Sequence, residues 1–152
     1  MNSLEKGANL IEVIPEILLR FRKSRISVTA EIKQAFLQIG VHEKDRDFMR
    51  FLWMDQNENM CTFRHRRVVS GVTCSQFLLG ATIERHLKMV LNADEEGTPY
   101  SKETVRLLSS FNVDNCVTSV SNKLALDSFM QEASTVMLKA KFDLRGWEHS
   151  GQ

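Results

Sequence analysis

Proline and glycine, the residues that most strongly punctuate a chain, are scarce here. Two prolines, Pro15 and Pro99, and seven glycines are scattered through 152 residues. No linker divides the sequence, there are no repeats or low-complexity tracts, and this length supports one core rather than two. Cysteine is scarce too. Cys61, Cys74 and Cys116 are odd in number, far apart and without a C-x-x-C pair, which suits a reducing compartment and offers no zinc site. No stretch approaches the roughly 20 apolar residues of a membrane span. The opening MNSLEKGANL has no long apolar core of the secretory type. The expectation is an intracellular protein, cytoplasmic or nuclear, with no membrane partner.

Charge of one sign is lacking as well: 20 Lys and Arg face 19 Asp and Glu, for a net charge of +1. Position says more than the sum. Arg20, Arg22, Lys23 and Arg25 form one basic cluster, and Arg64, His65, Arg66 and Arg67 form another. Such clusters can neutralise phosphates and can equally be solvated turns or strand edges. Charge alone leaves both readings open.

What is present reads as a soluble globular composition, 43% hydrophobic and 26% charged. Ile14, Ile17, Leu18 and Phe21 lie at helical spacing around Pro15, a residue well placed in a first turn. Ile26, Val28 and Ala30 alternate with polar residues as in a half-buried strand. Segments 48–54 and 60–69 read as a hairpin around a polar turn at 55–59. A helix is expected over 76–91, with Ser75 as N-cap and Phe77, Leu78, Ala81, Ile83, Leu87 and Val90 as its apolar positions. A polar loop with Gly97 and Pro99 as breakers follows over 92–99, then a short helix capped by Ser101. Segment 111–120 is a second hairpin candidate interrupted by Asp114 and Asn115. Ser121 is expected to cap a helix reaching about residue 140, with Leu124, Ala125, Phe129, Ala133, Val136 and Met137 inward. Phe142 and Leu144 read as a final strand. Trp53 and Trp147 read as core or strand-face residues, and His42, His86 and His149 as surface residues. The order predicts an α+β domain with helices packed on one sheet.

Four segments carry chemistry in that order. They are TAEIKQAFLQI at 29–39, FR at 63–64 with RVVSGVTCSQFLL at 67–79, FNVDN at 111–115 and FDLRGW at 142–147. Together they resemble the palm of retrotransposon reverse transcriptases, and the wording is most similar to the Pao/BEL class of long-terminal-repeat elements. The resemblance runs from about residue 4 to residue 151. It implies a ferredoxin-like palm: an antiparallel sheet with helices on one face, forming a single partial domain over 1–152. On this resemblance the fingers and thumb, and the protease, RNase H and integrase domains of a parent polyprotein, are not expected within these 152 residues.

The resemblance also implies an activity, RNA-directed DNA synthesis on a primer-template from deoxynucleoside triphosphates. Two magnesium ions stabilise the attacking and leaving oxygens of such an in-line displacement. The positions implied as catalytic are Glu31, Asp114 and Asn115, with Glu31 and Asp114 as metal ligands. Two of these depart from the family's aspartates. Glu31 is one methylene longer, and Asn115 has lost a charge, so weak or no activity is expected. Asn112 stands where the family has an aromatic, Ser70 where it usually has an aromatic, and Gln76 where it usually has proline. Phe36 sits where a bulky side chain excludes a 2′-hydroxyl, although a core role is the plain reading of a Phe. Gly71 would let the backbone approach a nucleotide closely, and Gln76 shares that implied nucleotide pocket. Arg64 and Arg67 are candidates for template phosphates. The alternative is a non-catalytic remnant that binds nucleic acid or protein, including other parts of the polyprotein.

Overall fold

Alternation of apolar and polar side chains over seven residues builds the central strand of the protein. The computed structural model describes residues 10–92 and 100–151. In chain order, α1 (Ile14–Phe21) leads into β1 (Ile26–Ile32), followed by a hairpin of β2 (Arg50–Met54) and β3 (Met60–Arg64). Helices α2 (Ser75–Asn92) and α3 (Lys102–Leu108) precede a second hairpin, β4 (Phe111–Asn112) and β5 (Asn115–Val120). Helix α4 (Lys123–Lys139) and β6 (Leu144–His149) complete the described chain.

The main sheet has the order β4-β5-β1-β6, with every neighbouring pair antiparallel. In β1, Ile26, Val28, Ala30 and Ile32 are buried, while Ser27 and Thr29 are half-buried and Glu31 is exposed. Cys116 and Val120 share the buried face from β5, opposite Ala30 and Ile26. Leu79, Ile83 and Leu87 of α2, Val105 and Leu108 of α3, and Phe129, Val136 and Met137 of α4 close over that face. This is the expected α+β layer with its helices on one side. Trp147 joins it from β6, meeting Phe129 edge to face at 5.9 Å. Among the described residues, no helix is long and apolar enough to cross a membrane.

Local chemistry sets the element ends, and several differ from expectation. Pro15 occupies the first turn of α1 as expected, where its missing N–H is not needed. Of the apolar residues of α1, Ile17 alone is buried, and Leu18 and Leu19 face solvent, because this short helix packs mainly along β5. Ser75 is not an N-cap. It is the first residue of α2, fully buried, and its hydroxyl donates to the Val69 carbonyl (2.7 Å), anchoring the preceding loop. The buried stripe of α2 runs through Leu79, Ile83 and Leu87, so the expected Phe77, Leu78 and Ala81 remain exposed. His86 is half-buried rather than a surface residue; its Nε2 bonds the Val136 carbonyl at 2.8 Å and ties α2 to α4.

The cap of α4 is Asn122, one residue beyond Ser121: its Oδ1 accepts from the Ala125 amide at 2.9 Å. Leu126 takes the inward place assigned to Leu124, which is 82% exposed. The end of α4 is closed by Phe142. Lys141 turns left-handed (φ 66), and the Lys141 and Phe142 amides donate back to Leu138 and Met137. This is a Schellman closure with its hydrophobic contact, so Phe142 ends a helix and β6 begins at Leu144. Ser101 caps α3 as expected, accepting from Glu103. The expected loop over 92–99 lies outside the described residues from 93 onward.

The β2–β3 hairpin forms a separate two-stranded sheet. Phe48 and Met49, expected to open the first strand, instead end a 3-10 helix, Glu43–Met49. Beyond Arg64 the chain changes partner: Val41 donates to Arg66 and Val68 to Ile39, each at 2.9 Å. Asp55 closes the turn by accepting from the Asn57 and Asn59 amides. Trp53, expected in the core or on a strand face, is 64% exposed, and Leu52, Met54 and Met60 are similarly bare. An isolated two-stranded hairpin is marginal in water, and apolar residues here occupy both faces.

Glu132 joins α4 to the start of α3. Its carboxylate accepts from the Ser101 amide (3.0 Å), the Thr104 hydroxyl (2.7 Å) and the Ser128 hydroxyl (3.2 Å). Burial raises its pKa, but the bonds from Thr104, Ser101 and Ser128 outweigh that and hold it below the usual 4.5. A carboxyl depressed on folding contributes stability above its unfolded pKa and loses it as the pH falls through the folded value. Glu132→Gln is therefore expected to lower the urea midpoint at neutral pH, with the gap to the parent narrowing below about pH 4.5. A gap independent of pH would show that the charge is not what stabilises the junction. Burial also pushes the Cys116 thiol up to about 12. Cys61 and Cys74 are expected to react with a thiol reagent in the native protein, and Cys116 only after unfolding.

Candidate functional site

Glu31 is the penultimate residue of β1, and the alternation that buries Ala30 and Ile32 turns its side chain to the open face. Register places Asn115 directly opposite it. Such cross-strand partners hold their Cβ atoms about 4.5–5.5 Å apart. The next residue back, Asp114, lies in the two-residue turn between the paired Asn112 and Asn115. The Asp114 carbonyl accepts from the Ile32 amide at 2.9 Å, pinning the hairpin tip to the end of β1. Glu31 and the adjacent pair Asp114 and Asn115, far apart in sequence, thus meet at one end of the sheet.

Strain marks the turn. Val113 adopts φ 58, a left-handed conformation that is costly for a β-branched residue and persists only where surroundings enforce it. Its side chain is half-buried against the core. The Asn115 amide nitrogen donates to Asp114 Oδ1 at 3.0 Å. The donor set at the tip is therefore two carboxylates and one carboxamide oxygen. These are hard oxygen ligands of the kind magnesium takes, with one charge fewer than three carboxylates would supply. Among the described residues, no three His, Cys, Asp or Glu side chains are grouped to hold a metal.

On the other side of Glu31, β6 contributes residues that sequence reading did not single out. Arg145 is the cross-strand partner of Glu31, and its guanidinium pairs with Asp143 at 2.9 Å. The Asp143 carbonyl in turn accepts from the Lys33 amide at 2.9 Å. A register shift falls between Thr29 and Glu31, at Gly146, whose φ is 61. The shift lets Trp147 reach the core, and a Cβ at Gly146 would lie 3.4 Å from Glu31 Cγ. FDLRGW held the signal, in a polar pair followed by glycine, but nothing in spacing identifies a bulge opposite Glu31.

The other expected residues are spread more widely. Phe36 lies in a 3-10 turn, Ala35–Gln38, entered through Gln34 at φ 49. It is half-buried at the margin of the core, so part of its surface has the plain packing role. Arg67 donates to the Gln38 carbonyl at 3.3 Å, which holds it beside that turn. Arg64 lies on β3 and pairs with Asp47 at 3.1 Å. Gly71 is exposed at φ 87, with open space where a Cβ would stand. Gln76 is on the rim of a cleft of about 630 Å³ that also reaches Asn112 and Val113. Phe36 and Arg67 are neighbours through the 3-10 turn, while Arg64 belongs to the separate hairpin.

Gly146→Ala tests the bulge. Ordinary contact with Glu31 leaves room for the methyl, so the cost comes from the left-handed backbone, about 1–2 kcal/mol. Gly146→Asn is expected to cost less, since Asn tolerates this conformation. Equal losses for both in urea unfolding would place the cost in side-chain crowding instead.

No family model matches this chain, and no curated protein matches it.

Proposed function

We propose that the chain is the palm of a Pao/BEL-type retrotransposon reverse transcriptase whose two-metal site has been weakened. The observation that supports this most is the meeting of Glu31 with the Asp114–Asn115 hairpin tip. It sits at one end of a sheet ordered β4-β5-β1-β6. This reading takes that order as the ferredoxin-like arrangement in which two strand-helix-strand units interleave. The four motif segments follow one another along the chain in the order the resemblance implies.

In this reading Glu31 and Asp114 hold magnesium, which supplies charge stabilisation to the attacking and leaving oxygens of nucleotidyl transfer. Phe36 closes the sugar position against a 2′-hydroxyl, and Gly71 and Gln76 border the nucleotide. Arg67 approaches template phosphate; Arg64 does so less strongly because Asp47 already neutralises it. The extra methylene of Glu31 displaces its oxygens by about 1 Å, a shift that can cost on the order of 10²-fold in rate. The bare apolar faces of the β2–β3 hairpin fit a domain that packs against further parts of a polyprotein. A non-catalytic remnant is the second reading, favoured by the Asn115 amide, whose nitrogen rather than a second carboxylate faces Asp114.

Primer extension on an RNA template, with magnesium and then manganese, separates the two. Weak extension is expected from folded protein, abolished by Asp114→Ala and raised by about 10²-fold in Glu31→Asp. If neither the parent nor Glu31→Asp extends a primer while both are folded, the polymerase reading fails and the binding remnant stands.

A further inference from the structure

The first basic cluster has no place in the polymerase reading. It reaches a second cavity, of about 240 Å³, between the end of α1, the end of α3 and the root of the β4–β5 hairpin. Arg20 and Lys23 enter it from the α1 side and Arg106 from α3, against one acid, Glu103. Arg20 is committed, paired with Glu16 and donating to the Ser110 hydroxyl. Lys23 and Arg106 have no side-chain partner among the described residues. Cations at helix C-termini are ordinary in themselves.

Two hydroxyls in the cavity are not. Ser110 and Thr118 are each only 1% exposed. Thr118 makes no side-chain hydrogen bond among the described residues. Ser110 accepts from Arg20, but no described group accepts its proton. Ser119, beside them, is fully used: it donates to the Arg20 carbonyl (2.6 Å) and accepts from the Ser24 amide (3.0 Å). Buried hydroxyls nearly always have partners, and each exception calls for an explanation such as an ion or a water.

We propose that this cavity is a binding site for one phosphate group. The free donors are Lys23, Arg106, Ser110 and Thr118, presented from three elements of the fold. A tetrahedral acceptor with oxygens in several directions satisfies all of them, whereas a planar carboxylate offers two oxygens on one edge. Water satisfies the hydroxyls but leaves Lys23 and Arg106 with Glu103 as the one acid in the cavity. The site stands independently of the polymerase reading, and its phosphate comes either from a free small phosphate or from a nucleic-acid strand.

The test is calorimetric titration of the whole chain with inorganic phosphate at fixed ionic strength. Saturable binding is expected, weakened by about tenfold or more in Lys23→Gln and in Thr118→Val. Thr118→Val keeps the shape and removes a hydroxyl without a partner, so the variant is expected to unfold no earlier than the parent. Arg22→Gln, in the same cluster but outside the cavity, is expected to bind as the parent does. Displacement of phosphate by a 5′-phosphorylated oligonucleotide, sensitive to Lys23→Gln, identifies the strand as the source. Binding of phosphate without such displacement identifies the free ion. No saturable binding, or equal loss in Arg22→Gln and Lys23→Gln, overturns the site.

Discussion

Strand β1 is hydrogen-bonded on both edges, to β5 and to β6, and its register governs both faces of the molecule. Because strand side chains alternate with a period of two, a slip of one residue would turn Val28, Ala30 and Ile32 to solvent and Glu31 into the core. The same register that buries Ala30 beside Cys116 sets Glu31 opposite Asn115. Core packing and the position of the carboxylates are one constraint. Irregularities cluster where that constraint is tightest: Val113 turns left-handed at the tip of the hairpin, and Gly146 absorbs the shift on β6.

Burial is uneven across the molecule. Leu79, Leu108, Leu126, Ala133, Val136 and Met137 are sealed from solvent, whereas the large side chains of β2 and β3 are mostly exposed. Apolar burial is the main favourable term in folding, so the carboxylate end rests on the most stable part of the structure. Arg64 rests on the least buried part. A phosphate contact through Arg64 would depend on whatever covers the hairpin, while Glu31 and Asp114 need no such cover to stay together.

Two polar devices join the helices to this core. Glu132 accepts three hydrogen bonds across the α3–α4 junction, and His86 bonds α2 to the Val136 carbonyl of α4. Charge in the candidate site is, by contrast, left in the open. Asp143 takes Arg145, Asn115 takes Asp114, and Glu31 remains exposed on the sheet. On the proposed reading, nucleotidyl transfer asks for converging negative charge, and Asn115 supplies none.

Much of this was legible in the residues alone. The period-two alternation of 26–32 and the helical spacing of 14–21 and 123–139 depend on local geometry, and the elements formed where those patterns lie. The grouping of Glu31 with Asp114 and Asn115 was implied by the family resemblance rather than by any local pattern, and the β1–β5 register brings them together. Local patterns do not say how elements dock, and there the tertiary structure decided. It left Leu124 and Trp53 in solvent, buried Ser75 and half-buried His86, and moved the α4 cap to Asn122, whose amide oxygen reached the Ala125 N–H. It opposed Arg145 to Glu31 through a bulge, and gathered Arg20, Lys23, Arg106, Ser110 and Thr118 around one cavity. Periodicity determines which side of an element is apolar, whereas burial depends on the distance and shape of what packs against it, and that is a property of the assembled chain.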